Sequence, residues 1–329
     1  MKPFSCLAPS RAVLAPALAS VLLILPLPAM GQDPGEDPDF AVQGEYIGEI
    51  DGESYGAHVV AEGDSKFAIR FYPGGLPGDG WRKTAPSRDG QGARKDGSVA
   101  FAAGEWEVKL DSGHRLAVRS QDKEEDAGVL SRIERKSPTL GRRPPEDALI
   151  LFDGKNLDQW QDGARITEDG LLREGAASKP LFQTFQLHLE FRTPFQPKAR
   201  GQGRGNSGFY AQGRYEVQIL DSFGLAGLHN ECGGIYTVAE PAVNMCFPPL
   251  SWQSYDIDFT PAQFEAGGKK TANARLTVRH NGVLIHEDVE VDHATTAAPL
   301  SEGPEPGPIY LQDHGNPVRF RNIWIVPKE

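Results

Sequence analysis

From Phe40 onward the chain is written in short runs whose apolar and polar positions alternate, cut by Gly-, Pro- and Asp-containing turns. Period-two alternation is the pattern of a half-buried strand, and no long helical periodicity appears in the second half of the chain. Gly44–Ile50, Ala57–Ala61, Phe67–Tyr72, Val99–Phe101, Trp106–Leu110 and Arg115–Ser120 read as strands. Pro73-Gly74-Gly75, Pro77-Gly78-Asp79-Gly80 and Asp96-Gly97 separate them. Together they predict a small all-β domain over 40–136. Glu124–Glu134 reads as a short helix or as a charged exit from that domain. The stretch 137–147 carries Pro138, Pro144 and Pro145 and predicts a stiff linker, because proline cannot join a ladder.

The pattern is clearer over 148–328. Phe185–Arg192 alternates, with Leu187, Leu189 and Phe191 on one side and His188, Glu190 and Arg192 on the other. Arg275–Val278 and Val283–His286 flank His280-Asn281-Gly282, and Asn-Gly is a strong two-residue hairpin signal. Many strands without helices pack best as a two-sheet sandwich, so the predicted fold class is all-β, a sandwich preceded by a smaller all-β domain.

The first 31 residues follow another rule. Lys2 and Arg11 precede a nearly uncharged apolar run, Ala12–Leu27, and Ala29-Met30-Gly31 places small residues where a signal peptidase reads. The run falls short of the ~20 residues of a membrane span, is interrupted by Pro16 and Pro26, and is followed by Pro28. It predicts a signal peptide over 1–31, hence export to the periplasm or beyond and a mature chain without a membrane span. Residues 32–39 are a polar spacer. Cys6 leaves with the signal. Cys232 and Cys246 remain and are expected to pair in an oxidising compartment, two free buried thiols being the alternative. The formal charge of −11 and the absence of a Lys/Arg stripe exclude nucleic acid as a partner. An apolar share of 39% excludes wholesale disorder.

Four phrases narrow the reading. Leu151-Phe152-Asp153-Gly154-Lys155-Asn156-Leu157-Asp158-Gln159-Trp160 opens the second domain. Gly205-Asn206-Ser207-Gly208-Phe209-Tyr210 and Tyr215-Glu216-Val217-Gln218-Ile219-Leu220-Asp221 follow. Ile309-Tyr310-Leu311-Gln312-Asp313-His314-Gly315, with Phe320-Arg321-Asn322-Ile323, ends it. In this order they closely resemble the 3-keto-disaccharide hydrolase domain family over roughly 148–328. The resemblance implies a concanavalin A-like jelly roll of two curved antiparallel sheets with a sugar site on the concave face. The activity it implies is cleavage of glycosides already oxidised to a ketone at sugar C3.

Side-chain parity places candidate residues without the family. In Tyr215–Leu220, Val217 and Ile219 point one way and Glu216 and Gln218 the other. In Ile309–His314, Tyr310, Gln312 and His314 oppose Ile309 and Leu311. With Tyr210, these give a face mixing an acid, amides, an imidazole and aromatic rings, which suits a pyranose; a solvated outer face is the bland alternative. Trp252 and Asp256 point outward from Trp252–Phe259, Trp252 as a stacking platform or a rim tryptophan. Arg214 and Arg321 hold ligand oxygens or structural carboxylates. Glu231 and Tyr236 flank the cysteine loop as a candidate wall. Asn206 and Ser207 read as turn residues.

No phosphate loop, Gly-x-Ser-x-Gly elbow or His-Glu-x-x-His motif is present. Ordinary glycosidases use two carboxylates; parity puts Glu216 on the candidate face and turns Asp313 away, leaving Asp221, Glu231 and Asp256 as alternatives for a second. A C3 ketone opens another route: it acidifies the C2 hydrogen, a base removes that proton, the C1 substituent leaves by β-elimination, and water then adds. Glu216 or His314 is the expected base and the other the proton donor, with Gln218, Gln312 and Arg214 orienting the sugar. No cofactor is specified, though a divalent metal could carry the enolate charge. A separate dehydrogenase would have to make the ketone. A non-catalytic carbohydrate-binding module and an adhesive surface module are the rival functions.

Overall fold

The computed structural model describes residues 37–328 except 113, 123 and 124; the predicted signal peptide and Cys6 lie outside the described residues. Eight strands come first: β1 (Gly44–Ile50), β2 (Glu53–Gly63), β3 (Lys66–Pro73), β4 (Arg88–Lys95), β5 (Ser98–Ala103), β6 (Trp106–Leu110), β7 (Arg115–Ser120) and β8 (Glu125–Ile133). Each pairs antiparallel with the next, and β8 returns to β1, closing an up-and-down barrel. Closure removes the edges that a small open sheet would leave bare. Alternate side chains fill the interior, among them Tyr46, Val59, Phe67, Phe71, Phe101, Trp106, Val118 and Leu130.

Glu124–Glu134 was expected as a helix or a charged exit. Its described part, Glu125–Ile133, is instead the closing strand. Its periodicity is faint because Leu130 is its only fully buried side chain. Gly128 betrays the strand better: a Cβ there would meet the Glu49 carbonyl oxygen at 1.9 Å, so only glycine lets the two backbones close.

The second half is a two-sheet antiparallel sandwich. Its larger sheet runs β9 (Leu149–Phe152), β18 (Arg319–Lys328), β11 (Thr184–Arg192), β14 (Gln253–Thr260), β15 (Ala274–His280) and β16 (Val283–Val291), with Leu172–Arg173 pairing onto β18. The smaller runs β10 (Ala176–Phe182), β17 (Gly307–Leu311), β12 (Ser207–Ala211) and β13 (Tyr215–Ile219). Phe185, Leu187, Phe191, Ile257 and Phe259 of one sheet share a core with Phe209, Val217, Ile219 and Leu311 of the other. The Tyr255 hydroxyl crosses the gap to donate to the Gln218 carbonyl at 2.7 Å.

Cys232 and Cys246 lie in this core, and the expected disulfide is corrected: both are free, buried thiols. Packing already serves each sulfur. Cys246 Sγ lies 3.5 Å from the carbonyls of Leu220 and Phe247, and Cys232 Sγ 3.3 Å from the Tyr255 hydroxyl.

The linker is not a free spacer. Ser137 and Thr139 hydrogen-bond the Ser254 hydroxyl at 2.6 and 2.7 Å. The Gly141 amide donates to Glu190, and the Arg142 carbonyl accepts from Asn322 Nδ2 and Trp324 Nε1. The segment is thus strapped across the outer face of the larger sheet. No helix among the described residues is long and apolar enough to cross a membrane.

Candidate functional site

β12 and β13 form a tight hairpin in which Tyr210 faces Glu216 and Gly208 faces Gln218. Their even-numbered side chains turn away from the core, as parity requires. The edge of β13 is covered by the segment after Glu231: Gly233 donates to the Gln218 carbonyl, and Tyr236 to the Glu216 carbonyl. On the opposite side of the hairpin β17 pairs Tyr310 with Tyr210.

The result is a directed chain of hydrogen bonds. Gln312 Nε2 donates to the Tyr210 hydroxyl at 3.1 Å, and that hydroxyl donates to Glu216 Oε2 at 2.8 Å. With Oε2 accepting, the carboxyl proton belongs on Oε1. Gly208 makes room for that oxygen: a Cβ there would lie 2.2 Å from Oε1. Glu216 is 2% exposed. Burial pushes its carboxyl up to about 8, with the Tyr210 hydrogen bond pulling the other way. At neutral pH it therefore holds a proton. Tyr210 is itself driven well above the phenol range, by burial first and then by the Glu216 carboxyl.

Around this centre Gln218 is buttressed, its Nε2 donating to Gln202 Oε1 and its Oε1 accepting from the Ile219 amide. Gln202 also accepts from Asn206 Nδ2, and Thr295 Oγ1 accepts from the Glu216 amide. Asn206 and Ser207 do more than turn the chain: Ser207 Oγ holds the Gln312 carbonyl, while Asn206 Oδ1 is buried without a partner. Tyr310 and Tyr236, both half-buried, border the face. Gln202, Gly208 and Thr295 were missed by parity, since they lie in turns or carry no chemistry of their own. Only the glycine opposite a predicted site strand offered a signal.

The other candidates fare differently. β17 ends at Leu311, so the alternation that aligned His314 with Gln312 stops before reaching it. His314 sits in an exposed bend, its carbonyl accepting from Asn316. Arg214 is buried and pins a loop through the carbonyls of Ser301 and Glu305 and the Gln212 side chain. Glu231 caps its own turn by accepting from the amides of Gly227 and Leu228. Trp252, Asp256 and Arg321 do point outward, but from the larger sheet, on the opposite side of the sandwich from Glu216. There the Arg321 guanidinium lies 3.9 Å from the Trp252 ring and its Nε 2.6 Å from Glu190, and Asp256 meets His188 Nδ1 at 2.8 Å. Asp256 and Arg321 belong to the strap's anchorage, through Arg142 and Glu190, and Trp252 packs on Arg321 beside them. Among the described residues no three His, Cys, Asp or Glu side chains gather as a metal-ligand set.

A proton-holding carboxyl on a polar, aromatic-edged sheet face is a group that acid catalysis on a sugar can use. A crystal structure from Parabacteroides distasonis ATCC 8503, assigned by inference as a glycosyl hydrolase, is 33% identical over 56% of this chain and 85% of its own, with a TM-score of 0.51. A second from the same organism, similarly assigned, is 20% identical over 56% of this chain and 95% of its own, with a TM-score of 0.40. No curated protein matches. The family model of the 3-keto-alpha-glucoside-1,2-lyase-like domain matches residues 147–326, more than half of the chain, and the protein belongs to that family.

Proposed function

We propose that this chain is an exported enzyme that cleaves the glycosidic bond of 3-keto-glycosides by β-elimination followed by hydration. The observation that carries this reading is the protonated, buried Glu216 carboxyl, oriented by the Tyr210–Gln312 chain. A general acid works best when its pKa lies near the working pH. In this reading His314, on the exposed bend two residues past Gln312, removes the C2 proton. The freed electron pair forms the enolate, the C1–O bond breaks, and Glu216 Oε1 gives its proton to the departing oxygen. Glu216, now a carboxylate, takes a proton back from the water whose oxygen adds at C1 of the unsaturated keto-sugar, and His314 returns its proton to C2. The net change is hydrolysis. Gln312 keeps a second amide hydrogen for the sugar, and Tyr310 offers a ring to its C–H face.

The test is turnover of a 3-keto-disaccharide by the mature chain, followed as free sugar and as the ultraviolet-absorbing enone. Glu216→Gln should lose about 10²–10⁴-fold in rate, and wild-type kcat/KM should fall as pH rises through about 8. Glycan binding without turnover in the wild type would make this a lectin-like module. Neither binding nor turnover would leave an adhesive one.

A further inference from the structure

Where the barrel meets the sandwich the seam stays partly open. Two adjoining hollows of ≈ 200 and ≈ 330 Å³ lie along it, and Arg70 and Leu225 line both. The first is walled by Phe223 and the Arg204–Asp221 ion pair on the sandwich side and by the Arg70–Asp89 pair on the barrel side. The second is walled by Trp81, Tyr72, Pro77 and Pro86 of the barrel and by Asn244 of the sandwich. Neither belongs to the Glu216 face.

The chemistry of these walls selects a ligand class. Every cation named here is already matched: Arg70 holds Asp89 through Nε and Nη2 at 2.6 and 2.7 Å, and Lys83 crosses the seam to Glu240 at 3.0 Å. That balance disfavours a phosphate or another anion, which would need unpaired positive charge. Fixed, charge-neutral hydrogen-bonding groups beside an aromatic ring are instead what sugar hydroxyls and sugar C–H faces recognise. Trp81 is half-buried and held edge-on against Tyr72 at 5.1 Å. Two buried donors on these walls, Trp81 Nε1 and Arg204 Nη2, have no acceptor.

We propose that the barrel–sandwich seam is a second carbohydrate site, taking a neutral oligosaccharide. Gly201 lines the first hollow, and its neighbour Gln202 bonds Gln218 on the strand that carries Glu216. The first hollow is thus joined to the Glu216 strand through the Gln202 side chain. The proposal rests on the carbohydrate reading of the protein and not on the cleavage chemistry.

The experiment is calorimetry on the full mature chain carrying Glu216→Gln, with short malto-, cello- and xylo-oligosaccharides as probes. At least one series should bind saturably. Adding Trp81→Ala should weaken that binding about tenfold or more, the equivalent of about 1.4 kcal/mol. Ser87→Trp, which fills the exposed rim of the second hollow, should do the same without touching the packed interior. No saturable binding by any series, or binding that survives both substitutions, overturns the proposal. Because binding is read directly, failure here is separate from failure of 3-keto-disaccharide turnover.

Discussion

Glu216 is a carboxyl in a place that penalises its charge. Among the described residues no cation acts on it, and burial is the leading influence on its proton. Its folded pKa of about 8 lies far above the ordinary 4.5. Between those values the native state keeps a proton that the unfolded chain has released. Stability therefore falls as pH rises through this window, by up to about 1.4 kcal/mol per pH unit. Below the unfolded pKa the penalty vanishes, and above the folded pKa it is constant. A glutamine at 216 cannot ionise and escapes the penalty. Denaturant midpoints of Glu216→Gln and wild type should thus differ little near about pH 5, while the variant gains the advantage by about pH 9. An offset that stays the same at both ends would show that the carboxyl is ionised in the native state, and the acid role would fall with it.

The strap over the larger sheet shows what an element can gain from one buried charge. Glu190 receives the Gly141 amide, Asn322 Nδ2 and the Arg321 guanidinium, with His188 Nε2 3.6 Å away. Burial alone would raise its carboxyl; these partners more than reverse that and bring it to about 2. Its charge is therefore present at any physiological pH, and its contribution is lost only as pH falls through that low value. Removing a buried partner of this kind costs about 3–5 kcal/mol. Glu190→Ala should accordingly lower stability and speed hydrogen exchange at the Gly141 amide, read by exchange mass spectrometry over 137–143. Exchange as slow as in wild type would show that Ser137 and Thr139 hold the strap without it. None of this was legible in the sequence, where Pro138, Pro144 and Pro145 spelled only a spacer. Legibility followed burial: Phe185–Arg192 reads plainly because one face is in the core, whereas Arg88–Lys95 does not, because Gly90 and Gly92 take the places of packed side chains. A Cβ on Gly92 would strike the Phe101 ring at 2.3 Å. Parity also reported the right thing about Asp256 and still misled, since alternation tells outward from inward but not which of two sheets is meant. Tyr210, Glu216 and Gln312 do come together, because two of them lie on paired strands of one sheet and Gln312 directly follows a third strand of it.

At the scale of the whole molecule, the barrel is bound to the sandwich by packing more than by charge. β2 turns Val59 and Ala61 into the barrel and His58 and Val60 out of it, so Val60 joins the sandwich core. His58 stacks on Phe223 with ring centroids 4.3 Å apart, and its nitrogens are held by Glu45 and Tyr72. Burial depresses the His58 imidazole, so it meets Phe223 as a neutral ring. By contrast, the Lys83–Glu240 bridge across the same seam is largely exposed, with side chains 39% and 46% accessible. Exposed pairs contribute about 0–1 kcal/mol, whereas truncating a buried phenylalanine costs about 3–5 kcal/mol. Phe223→Ala should therefore uncouple the two halves and split a single calorimetric unfolding transition into two, while Lys83→Ala leaves one transition near its original temperature. If the wild type already melts in two steps, the halves are energetically independent. If Lys83→Ala is the variant that splits the transition, charge holds the seam. In either case the contacts around His58 would have to be read as close packing without coupling.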